Sequence, residues 1–230
     1  MLDGKRILIS GIVNQESIAY AVAERAQRSD AEVIVTALDR DRELAEAVID
    51  GLPVRPPLFE LDATDGPRHD ELADEIGARW GQLDGVLHAV AFAPRTALNG
   101  RFTDADPGGV NLAFQTSAFS FAHSARMLER LAPESGASLV GLDFDASKAW
   151  PVYNWMGVCK AALEAVNRYL ARDLGERLIR ANLVAAGPLE TRPRAGSAAS
   201  ISSSARGSPA PRCRGIPATP GRSPTPSASC

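Results

Sequence analysis

Histidine and cysteine are scarce. The three histidines (His69, His88 and His123) are scattered, and no cysteine cluster accompanies them, so no metal site is expected and zinc least of all. Three cysteines, an odd number, do not make a disulfide framework, and a reducing cytoplasm is the expected compartment. No apolar run approaches the roughly 18 residues a membrane span needs. Met1–Lys5 leads straight into a strand-like run, which leaves no room for a signal peptide. What is present is 45% apolar and 23% charged residues in 230, enough to bury a core.

The average hides two polymers. Residues 192–230 contain no Asp, Glu, Leu, Val or aromatic residue, but 6 Arg, 9 Ser, 7 Pro, 7 Ala and 4 Gly. The preceding 191 residues hold 19 Lys and Arg against 28 Asp and Glu, a net charge of −9. A body that acidic argues against nucleic acid as partner, because phosphate binding needs a basic face. The tail has too little apolar surface to offset its ordering entropy and is expected to be disordered. A basic arm for nucleic acid or a membrane surface is the other reading of its composition.

Within the body, apolar runs alternate with helix-like segments. Strands are expected at Arg6–Ser10, Glu32–Thr36, Leu58–Leu61, Gly85–Val90, Ser138–Leu142 and Arg180–Val184. Helices are expected at Ser17–Ser29, Asp41–Asp50, Glu71–Trp80, Val110–Leu131 and Tyr153–Leu174. Continuous apolar strands separated by helices mean a parallel sheet covered on both faces. Right-handed crossovers then give a doubly wound α/β fold of Rossmann type.

Ligands of such sheets lie at the carboxyl ends of the strands. After the first strand comes Ser10-Gly11-Ile12-Val13-Asn14-Gln15-Glu16-Ser17-Ile18-Ala19, without G-x-G-x-x-G. Gly11 permits a tight turn, and Ser17-Ile18 offers amides and a hydroxyl to a pyrophosphate. An ordinary βα turn with a serine cap fits the same residues. The second strand ends in Leu38-Asp39-Arg40. The Asp39 carboxylate suits a ribose and disfavours a 2′-phosphate, while Arg40 pulls against that reading and a solvated loop pair is the alternative. The third strand ends at Asp62-Ala63, where the carboxylate can meet an adenine amino group. The fourth ends in the small residues Ala89, Val90 and Ala91, which let a cofactor approach the backbone. Together these ends point to a dinucleotide.

Tyr153 and Lys160 are seven residues apart on one expected helix. Seven residues turn roughly 700°, so the two side chains share a face about 10 Å apart along the axis. Beside a nicotinamide, an ammonium can hold ribose hydroxyls while a phenol donates to an oxygen gaining charge. A core tyrosine and a solvated lysine is the alternative that the spacing alone leaves open.

The surrounding residues decide between them. Gly141-Leu142-Asp143-Phe144-Asp145, Tyr153-Asn154-Trp155-Met156-Gly157-Val158-Cys159-Lys160 and Asn182-Leu183-Val184-Ala185-Ala186-Gly187-Pro188 resemble the enoyl-acyl-carrier-protein reductases. The mycobacterial type that serves mycolic acid synthesis is the nearest in pattern. Ser10-Gly11-Ile12 and Ser17-Ile18-Ala19 extend the likeness over about residues 2–191. Tyr-x6-Lys separates this group from ordinary short-chain dehydrogenases, which carry Tyr-x3-Lys.

The resemblance implies NADH as cofactor and an enoyl thioester on acyl carrier protein or coenzyme A as substrate. Tyr153 then meets the thioester carbonyl and stabilises the enolate, Lys160 holds the nicotinamide ribose, and Phe144 lies beside nicotinamide and substrate. Gly11, Ile12, Ser17 and Ile18 form the pyrophosphate loop, Asp62 and Ala63 the adenine contact. Ala89, Val90, Ala91, Ala186, Gly187, Pro188, Leu189 and Thr191 make the remaining cofactor wall. Ala89 and Ala91 stand where the family often has Ser and Gly, and Leu38 replaces an aromatic residue that packs on the adenosine. The family assembly is a homotetramer.

After Thr191 the likeness stops. The family continues with a helix over the acyl chain, further helices and a seventh strand, whereas this sequence turns into the Ser/Pro/Arg segment. Arg222–Cys230 can be encoded so that the frame beginning at the third base spells Val-Ala-Asp-Ala-Val-Cys-Val-Leu, similar to the family's last helix. The expectation is an enoyl reductase domain over 1–191, lacking the last strand, and out-of-frame translation over 192–230. Two alternatives accompany it: an inactive fragment that at most binds nucleotide, and a carbonyl-reducing short-chain dehydrogenase.

Overall fold

The computed structural model describes residues 2–186. The expected disordered tail and the expected domain boundary at 191/192 lie outside the described residues, as do Gly187, Pro188, Leu189 and Thr191. Six strands form one sheet in the order β3-β2-β1-β4-β5-β6. They are β1 Arg6–Ser10, β2 Glu32–Ala37, β3 Leu58–Glu60, β4 Gly85–His88, β5 Ala137–Asp143 and β6 Ile179–Ala185. Every pairing is parallel, as the continuous apolar runs require. The order reverses between β1 and β4, and a ligand crevice opens at such a switch point.

Alternation within each strand sends side chains to two layers. Leu8, Ile34, Val86, Leu139 and Ile179 pack with Leu72, Phe121, Leu128 and Leu163 of α3 (Gly66–Trp80), α6 (Ser120–Leu131) and α7 (Asn154–Leu174). Ile9, Val33, Val35 and Leu87 pack with Ala19, Ala23 and Ile49 of α1 (Ile18–Gln27) and α2 (Arg42–Ile49). The alanines of α1 let it lie close to the sheet, so the turn that precedes it sits at the switch point.

The structure moves several expected boundaries. Helix α3 starts at Gly66, because Asp65 caps it by accepting from Arg68 N at 3.0 Å and Pro67 fits the first turn. Strand β4 ends at His88, with Ala89 N still donating to Ser10 O at 3.3 Å and Val90 outside the strand. The long helix expected from Val110 begins instead at Pro107, where Asp106 accepts from Gly109 N at 2.7 Å. It runs as α5 (Pro107–Phe114), a π-helical turn Gln115–Phe119 and α6. A short helix α4 (Arg95–Leu98), not expected from the sequence, follows β4. Among the described residues no helix is long and apolar enough to cross a membrane, and no group of three or more potential ligands could hold a metal.

Candidate active site

The strand ends set out the candidate residues in one row. From the β3 edge inward they run Asp62, Leu38, Gly11, Ala89–Ala91, Phe144 and, past β6, Ala186. Gly11 has φ +86°, and a Cβ there would stand 2.3 Å from the Ala89 carbonyl oxygen. Only glycine lets the backbones of the β1 and β4 exits approach this closely. The same closeness brings the turn after β1 against the small residues after β4.

Not every expected side chain is free to reach a ligand. The Ser17 hydroxyl donates to Asn14 O at 2.7 Å and accepts from Tyr20 N at 3.1 Å. It is the helix cap, which leaves the first-turn amides of α1, Ile18 among them, as the anion-facing groups. Ile12 is wholly buried in the core layer, so only its backbone faces the crevice. Asp62 spends Oδ1 on Thr64 N (2.8 Å) and Thr64 Oγ1 (2.7 Å), with Ala63 buried beside it. Leu38 is half-buried and Asp39 exposed.

The β5–α7 region holds the titratable groups. Tyr153 is buried in an apolar cluster with Ala93, Leu98, Met156 and Cys159, against which Ala91 and Phe144 pack. The Phe144 ring lies 5.1 Å from the Tyr153 ring. The phenol makes no hydrogen bond to any described residue. Burial first, and then the Asp143 carboxylate and Cys159, push it well above its ordinary pKa, so it stays protonated as a donor. Lys160 is also buried, and its Nζ donates to Leu142 O at 2.8 Å. Burial lowers its pKa to about 8, against the opposing pull of Asp143 and Cys159. Tyr153 is the N-cap residue and stands just outside α7, whereas Lys160 lies within it, so the helix expected from Tyr153 starts one residue later. The solvated-lysine alternative fails, because Lys160 is buried.

Two features of this site were not visible in the sequence. Asp143 Oδ1 is buried without a hydrogen-bond partner, and burial raises its pKa above the ordinary carboxylate value. Ser117, in the π-helical turn, accepts from Phe92 N and donates to Phe92 O, both at 2.9 Å, which pins the backbone that follows Ala89–Ala91. Its partner lies 25 residues away in sequence, so no local signal marks it.

Comparison with known proteins gives this geometry its relatives. The family model described as Enoyl-(Acyl carrier protein) reductase matches residues 11–214. The enoyl-acyl-carrier-protein reductase (NADH) of Mycolicibacterium smegmatis is 42% identical over 196 residues, covering 83% of this chain and 72% of that one. The protein of the same name from Mycobacterium avium is 42% identical over 199 residues, covering 85% and 74%. That of Rickettsia bellii is 39% identical over 196 residues, covering 83% and 73%. The chain therefore belongs to the enoyl-acyl-carrier-protein reductase family.

Proposed function

We propose that this protein catalyses the NADH-dependent reduction of trans-2-enoyl thioesters, on acyl carrier protein or coenzyme A, in fatty acid and mycolic acid elongation. The observation that carries the proposal is the Tyr153 phenol: buried, protonated, free of described partners and at the N-cap of the helix that carries Lys160. The relatives' own names, each an NADH enoyl-acyl-carrier-protein reductase, support both the cofactor and the substrate class.

The residues present fit NADH. Lys160 spends one of its three N–H donors on Leu142 O, and the Asp143 Oδ1 acceptor nearby is unsatisfied. An ammonium with spare donors beside an orphaned acceptor complements a pair of vicinal hydroxyls. The Gly11 turn, the Ile12 backbone and the Ser17-capped start of α1 suit a pyrophosphate, Asp62 and Ala63 the adenine, and Ala89–Ala91 the cofactor wall. Leu38 offers the adenosine an aliphatic surface, and Ala186 with Gly187, Pro188, Leu189 and Thr191 completes the reading.

Bound NADH supplies a hydride to Cβ of the enoyl group. The C=C electron pair then shifts toward the thioester oxygen, and Tyr153 donates a hydrogen bond to that oxygen as it becomes an enolate. Solvent delivers the proton to Cα. Lys160 orients the ribose, and its charge favours the negative transition state. Phe144, tilted against Tyr153, keeps water from the reacting carbons. In this reading residues 1–191 are the reductase domain, 192–230 are out-of-frame translation, and the assembly is a homotetramer. Sequencing the coding DNA tests the first two points and light scattering the third.

The direct test is NADH oxidation at 340 nm with a trans-2-enoyl-CoA of about twelve carbons. Tyr153→Phe is expected to lower kcat roughly 10²–10³-fold while NADH affinity stays within twofold. Soluble protein that binds NADH without turnover would favour the nucleotide-binding fragment. Reduction of a 3-oxoacyl thioester instead would favour the carbonyl reductase.

A further inference from the structure

The Tyr153 hydroxyl has no described hydrogen-bond partner, so packing and backbone alone set where the phenol points. That backbone is unusual. Val152 has φ +49° and Asn154 φ +33°, so two non-glycine residues in the left-handed region flank Tyr153 at φ −120°. Valine is β-branched and avoids this region strongly. Such strain persists only where surrounding contacts over-determine the conformation.

Those contacts come from one segment. Asn154 Nδ2 donates to Gly100 O and Trp155 Nε1 donates to Phe102 O, each at 3.1 Å. The Trp155 and Phe102 rings stack at 4.5 Å and 11° between planes. Gly100, at φ +83°, turns its carbonyl toward Asn154. Two side chains of the first turn of α7 are thus strapped to backbone carbonyls some 53 and 54 residues earlier. Upstream, Trp150 Nε1 donates to Asp145 O at 2.8 Å and anchors the other end of the turn. Val152 itself is 47% exposed, and the ties on both sides of it hold its conformation.

We infer that Asn154 and Trp155 are positioning residues that aim the Tyr153 phenol by strapping its strained turn to residues 99–104. The role rests on the reaction proposed above, whereas the placement of the phenol does not.

Two measurements separate them. The chain has three tyrosines, Tyr20, Tyr153 and Tyr169, so 3-fluorotyrosine labelling gives three ¹⁹F resonances, with Tyr153 assigned by Tyr153→Phe. Asn154→Gly keeps the left-handed backbone but loses the tie, and Trp155→Phe keeps the stack but loses the donor. Each is expected to shift or broaden the Tyr153 resonance and leave the other two in place. An unmoved Tyr153 resonance in both variants overturns the inference whatever the protein catalyses. The second measurement is a kinetic double-mutant cycle. Each strap variant should lower kcat about tenfold or more with the NADH KM within twofold, and should cost less than twofold further in the Tyr153→Phe background. Multiplicative losses would mean that the strap acts elsewhere and would sink the positioning role. Val152→Asn, which tolerates the left-handed region, should raise the melting temperature and lower kcat; unchanged kcat would count against stored strain as the aiming device. If the unsubstituted protein shows no enoyl turnover while the ¹⁹F resonance still moves, the proposed reaction falls and the strap stands.

Discussion

At Lys160, burial and charge act against each other. A lysine whose pKa is pressed down to about 8 is roughly nine-tenths protonated at pH 7 and loses most of its charge by pH 9. Its lowered value means the neutral form gains ground as pH rises through 8, so the charge that would hold ribose hydroxyls is present below that point and lost above it. The dissociation constant of NADH is therefore expected to rise roughly tenfold in all between pH 7 and 9. Cofactor fluorescence titrations across that range check it. Lys160→Arg, whose guanidinium keeps its proton, should bind more weakly but without the inflection; a flat profile in the unsubstituted protein would separate Lys160 from cofactor binding. Tyr153 titrates far above this window, so its protonation does not confuse the reading.

Among the elements, the α5–α6 helix shows how a local irregularity places a functional surface. One π-helical turn, Gln115–Phe119, inserts into an otherwise α-helical run and directs Ser117 at both backbone groups of Phe92. Ser117→Ala would leave the half-buried N–H and carbonyl of Phe92 without this partner. The expected cost is about 1–3 kcal/mol of unfolding free energy, with weaker NADH binding because Phe92 follows Ala89–Ala91; urea denaturation and cofactor titration measure the two effects. The helix itself was legible in its apolar period, but the extra residue was not, since a single bulge barely disturbs that pattern. The start of α3 was missed for a similar reason. Asp65 and Pro67 signal it, but the polar first turn, Gly66–Asp70, hides it from a reading based on apolar spacing. Tyr153 and Lys160, by contrast, were legible as a seven-residue spacing on one expected helix, although Tyr153 is the cap that precedes α7 and only Lys160 lies within it. Asp143 appeared in the sequence only as part of a motif, and its orphaned oxygen became visible when β5 and α7 came together.

Across the whole molecule, strand order follows from short right-handed crossovers, so the parallel sheet was legible before any contact was known. What the sequence could not display is where its few histidines come to rest. His88 is buried at the end of β4, and its Nε2–H donates to Ser120 Oγ at 2.8 Å, because that hydroxyl already donates to Thr116 O at 2.7 Å. Its Nδ1 has no partner, and burial, then the Lys160 charge, lower its pKa to about 3, so the ring is neutral. His69 donates from Nδ1 to Asp65 O at 2.8 Å and faces His123 with ring centroids 5.3 Å apart. Burial pushes both of these below their ordinary value as well. All three histidines thus bind protons more readily in the unfolded chain. Stability is complete above the unfolded value of about 6.5 and declines as pH falls through it, since protons then pull the equilibrium toward the unfolded state. For His88 alone the loss between pH 7.5 and 5.5 is about 1.4 kcal/mol. Unfolding free energies from urea titrations should fall by about that amount between the two pH values in the unsubstituted protein. In His88→Asn, itself less stable, the difference between the two pH values should shrink by the same amount. An unchanged difference would mean that His88 is already solvated or charged in the folded molecule, and the buried network at the end of β4 would have to be abandoned.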